Sequence, residues 1–185
     1  FDKLLKNKSK NPYTREEIPK HAIRSFNLRK KYIINNNINI EEFEQPKLTK
    51  KQMFNNKVVT IFQKIDLLNV VAGGVDTTWF TNLNLIQLKL LYKILEDIWN
   101  YRAELTNEKK QTIVPNRIMF EKSVKYVYSL YSKSTIQHII LDEIDALISS
   151  AVNNNDKITG SYFVLTALVE VSQECSQSLP WLIQH

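Results

Sequence analysis

Only three glycines stand in the 185 residues: Gly73, Gly74 and Gly160. Sheet proteins need positive-φ positions at their hairpin turns, supplied mainly by Gly and Asn. Asn is common, but it falls in runs at 35–37 and 153–155 rather than between alternating strands. There is one cysteine, Cys175, so no internal disulfide can form. His21, His138 and His185 are too scattered for zinc-ligand spacing. A lone thiol suits a reducing, intracellular compartment. No stretch approaches the ~18 consecutive apolar residues of a membrane helix, and the basic, polar opening is no secretory signal. The chain opens on Phe1 rather than Met, which reads as an excerpt of a longer polypeptide.

What is present is 43% hydrophobic sequence, enough for one ordinary domain. The net charge is +6 and uneven. Residues 1–32 hold ten Lys/Arg against three acids, or +7; residues 33–185 hold fifteen against sixteen, or −1. All the excess positive charge sits on the first segment.

Helix signals run along the chain. Asn11-Pro12-Tyr13-Thr14 reads as a turn. Thr14 and Glu17 fit a capping box, and Pro19 suits a first helical turn, for a helix to about Ile34. Ile23, Phe26 and Ile33 share one side, and Lys20, Arg24 and Lys31 lie on a neighbouring side. Residues 35–48, Asn-rich and then acidic, read as a linker. Thr49 and Gln52 form a second box ahead of the stripe Phe54, Val58, Ile61, Ile65 and Leu68, with Lys50, Lys57 and Lys64 on another face. Gly73-Gly74 breaks the chain. The segment Asn84–Leu105 is the strongest helix, with Leu88, Leu91, Leu95, Ile98 and Trp99 facing inward and Lys93 and Asp97 at pairing distance. At 100° per residue Arg102 falls in that apolar arc, which predicts a buried, paired charge.

Thr106 caps a short helix that Pro115 ends. The apolar sets Phe120, Val124, Val127, Tyr128, Tyr131 and Ile136, Ile140, Ile144, Leu147, Ala151 are half a turn out of phase. That predicts a break at Ser132–Ser134, with Ser134 and Gln137 as a fresh capping box. A last helix carries Gly160, Val164, Ala167, Leu168, Val171 and Cys175, whose small residues allow close approach. Pro180 ends it, and Trp181 and Leu182 fold back as a plug.

Candidate chemistry is sparse. His138, Asp142 and Asp145 could form an acid/base or metal cluster, but they fall on the polar face of their helix, where exposed pairing is the ordinary explanation. Cys175 lies in an apolar stripe with no basic neighbour in sequence, as a structural thiol does. Gly73-Gly74 lacks the Lys-Ser/Thr of a phosphate loop. The functional signal above background is the basic segment: Lys20, Arg24, Arg29, Lys30 and Lys31, with the Lys6, Lys8, Lys10 run and with Tyr13 and Tyr32 available for stacking.

Three fragments carry a resemblance. They are 11–18 (NPYTREEI); Trp79-Phe80 with 88–105, centred on 97–103 (DIWNYRA), and 110–115; and 160–168 (GSYFVLTAL) with 179–182 (LPWL). Together they resemble an uncharacterised family of nucleocytoplasmic large DNA viruses, the giant viruses, and span nearly the whole chain. The Lys-, Ile- and Asn-rich composition suits a mimivirus-like source. The resemblance implies a further N-terminal part and carries no catalytic assignment. The Asn-Pro-Tyr-Thr segment also resembles the opening of U-box-like domains, but here it leads directly into a basic helix.

The expectation is an all-α, irregular bundle of about six or seven helices, with orthogonal and solenoid-like packing both open. Residues 1–48 form a basic N-terminal segment and 49–185 a helical domain. Function is expected to be non-enzymatic: an adaptor or scaffold in a viral assembly, its basic segment docking on an acidic protein. A nucleic-acid-binding factor in viral transcription, translation or packaging is the alternative. No cofactor, metal or membrane is expected, and the location implied is the host cytoplasm (the viral factory) or the virion interior.

Overall fold

The computed structural model describes residues 16–36, 48–115 and 117–183. The Asn-Pro-Tyr-Thr turn, Thr14 of the first capping box, the Lys6, Lys8, Lys10 run and most of the linker lie outside them. The chain divides into two compact units, Phe1–Lys47 and Leu48–His185.

In the first unit the described residues form one helix, α1 (Lys20–Asn35). Pro19 is its N-cap rather than part of its first turn, with φ −56° and ψ 139°. Its carbonyl accepts from Ala22 N at 2.9 Å and Ile23 N at 3.2 Å. A proline there fixes the entry angle and gives up only an N–H the helix does not need.

The second unit holds α2 (Lys50–Leu67), α3 (Thr78–Thr81), α4 (Leu85–Asp97), α5 (Asn107–Ile113), α6 (Val124–Ser129), α7 (Lys133–Ser149), α8 (Asn154–Val171) and α9 (Gln173–Ser178). The described residues thus contain nine α-helices and no strand. The count exceeds six or seven because α3, of 4 residues, is too short to show a stripe, and because the sequence pattern joins α9 to the helix before it.

Side-chain caps set most starts. Thr49 Oγ1 accepts from Gln52 N at 3.2 Å while Gln52 Oε1 accepts from Thr49 N at 2.8 Å, closing the expected box. Asn84 and Gln87 close a similar one on α4, both bonds at 2.9 Å. Behind these caps α2 buries Val58, Ile61, Phe62 and Ile65, and α4 buries Leu88, Leu91, Tyr92, Ile94 and Leu95.

Helix α4 packs on α7 and α8, and α7 also lies against α2. Helices α7 and α8 form an antiparallel hairpin closed at Gly160. A Cβ built there would stand 2.0 Å from the Leu147 carbonyl oxygen. Only glycine lets the backbones come so near, as the small-residue stripe predicts.

Five expectations need correction. The break before α7 falls at Leu130–Ser132, earlier than Ser132–Ser134, and Ser132 rather than Ser134 caps α7, its Oγ accepting from Thr135 N at 3.2 Å. Phe120 does not start a helix: it sits at φ +56°, and Ser123 caps α6. Tyr128 and Tyr131 of that stripe are exposed: α6 turns Val127 inward and the adjacent Tyr128 outward, and it ends before Tyr131. The last helix is two, since Ser172 at φ −110°, ψ 115° interrupts it and caps α9. Leu182 is half-buried, but Trp181 is exposed and meets Tyr162 edge-on at 6.2 Å.

Candidate functional site

The basic residues of α1 all reach the surface. Lys20, Arg24, Arg29, Lys30 and Lys31 are exposed, and the helix contains no acid. Lys20, Arg24 and Lys31 project within about 40° of one another, whereas Arg29 points to the opposite side. No residue of α1 is buried. Ile23, Phe26 and Ile33 are half-buried, and Leu28, Tyr32 and Ile34 are each at least 62% exposed. The helix therefore presents positive charge and apolar surface together.

Arg102 is paired with carboxylates, Glu170 among them, and is just over half buried, as the projection predicts, though it lies at the edge of the core rather than inside it. Its side chain is 45% exposed, and it bridges Asp97 and Glu170 at the surface. Nε donates to Asp97 Oδ2 at 2.6 Å and Nη1 to Glu170 Oε1 at 2.7 Å. The guanidinium reaches the surface where residues Ile98–Arg102 form a π-helical turn, with Ala103 N bonded to Ile98 O at 3.0 Å. The i→i+5 bond widens the turn, so each residue advances by less than 100° and Arg102 falls at the edge of the apolar arc. Asp97 consequently serves Arg102 rather than Lys93. Glu170 was among the acids the burial argument named, and it meets Arg102 at this edge.

His138, Asp142 and Asp145 lie along α7 without converging. His138 Nδ1 bonds Ser134 O at 2.7 Å, Asp142 pairs with Lys57, and Asp145 Oδ1 accepts from Lys64 Nζ at 2.7 Å and Ser149 Oγ at 2.8 Å. Burial tends to raise the Asp145 carboxyl, but the Lys64 and Ser149 bonds outweigh it and hold the group below its ordinary value. These bonds join α7 to α2 and leave no shared proton-transfer geometry. Among the described residues no cluster of three or more His, Cys, Asp or Glu could hold a metal ion, and no helix is long and apolar enough to cross a membrane.

Cys175 is fully buried, and burial pushes its thiol up to about 12. A thiol so poorly ionised is a weak nucleophile. Gly73 and Gly74 make a turn at φ +99° and +85°. A groove of about 680 Å³ runs past them, but its carboxylates have structural duties. Asp66 Oδ1 accepts from Val75 N at 3.2 Å, and Asp76 Oδ1 accepts from Thr78 N at 2.8 Å.

Sequence reasoning missed two buried acids. Glu143 on α7 is 7% exposed; its Oε2 accepts from Phe120 N at 3.3 Å and its Oε1 lies 3.2 Å from Arg117 Nη2. Burial raises its carboxyl, only partly opposed by Arg117 and the Phe120 N–H. The same bond, with the edge-on contact of Phe120 and Tyr92 at 5.6 Å, secures Phe120 in its left-handed conformation. Asp156, at 3% exposure, pairs with Lys109, and its Oδ2 accepts from Asn153 Nδ2 at 2.7 Å. The Lys109 and Asn153 bonds lower its carboxyl. The Asn153–Asp156 spacing signalled a cap, but nothing in sequence pointed to Arg117 or Lys109. Both pairs consolidate the fold, and neither lies with other reactive groups. No protein-family model, curated protein or solved structure matches this chain.

Proposed function

We propose that this chain is a non-enzymatic helical interaction module whose basic helix α1 docks on an acidic partner protein within a larger assembly. The observation that carries this reading is that α1 exposes five cations, contains no acid and buries none of its residues. A stably buried helix spends its apolar face on its own core; α1 keeps Leu28, Tyr32 and Ile34 at the surface beside its charges. An acidic partner with an apolar floor matches both features. The giant-virus resemblance adds the setting: a viral assembly in the host cytoplasm or the virion interior.

A second reading is a nucleic-acid-binding factor in viral transcription, translation or genome packaging. It draws on Tyr32, 62% exposed beside Lys30 and Lys31, where a base could stack. Salt titration separates the two. Contact with several phosphates makes log affinity fall steeply and linearly with log salt. The chain is titrated with a glutamate-rich peptide and with mixed-sequence RNA and DNA. Preference for the peptide supports docking on protein; tighter, steeply salt-dependent nucleic-acid binding supports the second reading. Reversal of Lys20, Arg24 and Lys31 to Glu abolishes the preferred interaction under either. Unchanged binding by that variant would remove α1 as the surface.

A further inference from the structure

A second site lies wholly within the unit Leu48–His185 and does not rest on α1. Helices α2 and α7 run parallel: Phe54 meets His138, Lys57 pairs with Asp142, and Lys64 bonds Asp145 and Ser149, so partner numbers rise together. Both helices consequently begin at the same end. A cleft of about 570 Å³ opens there, its walls including Lys50, Lys51, Met53, Phe54, Gln137 and His138. That size lies within the roughly 300–1,000 Å³ of small-ligand sites.

The cleft is built for an anion. The caps of α2 and α7 satisfy Gln52 N and Thr135 N, and Met53 N and Ile136 N bond the carbonyls of Thr49 and Ser132. The N–H groups of Lys50, Lys51, Lys133 and Ser134 are left without an intrahelical acceptor. Neither helix has an acid in its first turn. Lys50 and Lys51 add charge to the positive end of the α2 dipole, an arrangement unfavourable for the helix alone and favourable around a bound anion.

Gln137 supplies an independent sign. Its side chain lines the cleft and is 8% exposed, yet its carboxamide has no hydrogen-bond partner among the described residues. The residue is largely buried but its amide is not sealed from solvent, so the amide is open to a partner that arrives from the cleft it lines. Beside it Phe54 and His138 stand with ring centroids 5.3 Å apart, and Met53 is 59% exposed. The rings are tilted at 47° to one another, and with Met53 they give an aromatic, polarizable wall next to the charges.

We propose that this cleft binds a nucleotide unit. The phosphate sits at the two helix starts with Lys50 and Lys51, and the base lies on Phe54 and Met53. The Gln137 carboxamide, donor and acceptor at once, reads the edge of the base. A free nucleotide and one residue of a single strand present the same chemistry.

The test is an NMR titration of the ¹⁵N-labelled full chain with AMP, oligo(U) and inorganic phosphate, each in turn. AMP or oligo(U) shifts the Lys51 and Ser134 amides and the Gln137 carboxamide saturably, and inorganic phosphate binds at least about tenfold more weakly. Oligo(U) tighter than AMP assigns the site to a strand; AMP equal or tighter assigns it to a free nucleotide. Lys51→Glu and Gln137→Leu each weaken binding about tenfold or more while the melting temperature holds. The proposal is overturned if neither nucleotide probe shifts these signals, if phosphate binds as well as AMP, or if both variants bind like the parent chain.

Discussion

Helices α1 and α2 make an instructive pair. Both are Lys-rich, of 16 and 18 residues, yet α2 buries four side chains and α1 buries none. The difference lies in one register. In α2 the positions Val58, Ile61, Phe62 and Ile65 continue the 3–4 spacing unbroken. In α1 the series Ile23, Phe26, Ile33 is interrupted by Lys30, where the next apolar residue belongs. Each well-buried side chain contributes roughly 1.5–3 kcal/mol, so a stripe broken after two members cannot anchor a helix as α2 is anchored. The lysines differ in what holds them: Lys57 and Lys64 of α2 are engaged by Asp142 and Asp145 of α7, while the cations of α1 are exposed on a helix that contains no acid. A broken stripe leaves α1 with its charges and part of its apolar surface exposed, which is what the proposed docking role draws on.

The contrast is sharpened first at the core. Gly160→Ala places a methyl against the Leu147 carbonyl of α7. Backbone cannot yield as a flexible side chain does, so the cost is expected at or above about 3 kcal/mol, the upper end of overpacking penalties. Chemical denaturation measures it, and a near-native midpoint would show that α7 and α8 can separate without loss.

Next comes the Arg117–Glu143 pair. Arg117→Met leaves a nearly buried carboxylate without its cation. Loss of a fully buried partner costs roughly 3–5 kcal/mol; because the Arg117 side chain is 40% exposed, about 2 kcal/mol is expected near neutral pH. The sign with pH follows from the raised Glu143 carboxyl. Its contribution is fully present below the unfolded-state value and is lost as pH rises through the folded-state value. Arg117→Met should therefore be milder in acid, and the stability of Glu143→Gln relative to the parent should rise as pH increases above the ordinary carboxylate range. Parallel stability–pH curves would show that Glu143 is well solvated.

Smaller again is Arg102→Met. With the arginine and both acids 40–45% exposed, the two bridges together are worth about 1 kcal/mol or less, and salt should weaken them. A loss above about 3 kcal/mol would place Arg102 inside the core as a fully buried charge.

The smallest effect belongs to α1. Reversal of Lys20, Arg24 and Lys31 to Glu should change stability by no more than about 0.5 kcal/mol, even as it abolishes binding. A clear fall in melting temperature would mean that these side chains serve the fold, erasing the distinction between the two helices.

The all-α class, the Thr49 cap and the inward faces of α2, α4 and α7 could be read from the residues alone. These follow from contacts within a few residues, where spacing fixes geometry. The five basic residues of α1 were legible for the same reason: the helix carries them with no acid of its own. The rest depended on contacts between distant stretches of chain. Whether residues 98–102 widen into a π-turn depends on what packs around α4, and that turn sets Arg102 at the edge of the core. The partners of Glu143 and Asp156 lie 26 and 47 positions away, beyond any local periodicity. The cleft at Gln137 exists because α2 and α7 happen to run parallel and begin together, a relation between two stretches of chain that neither stretch records alone.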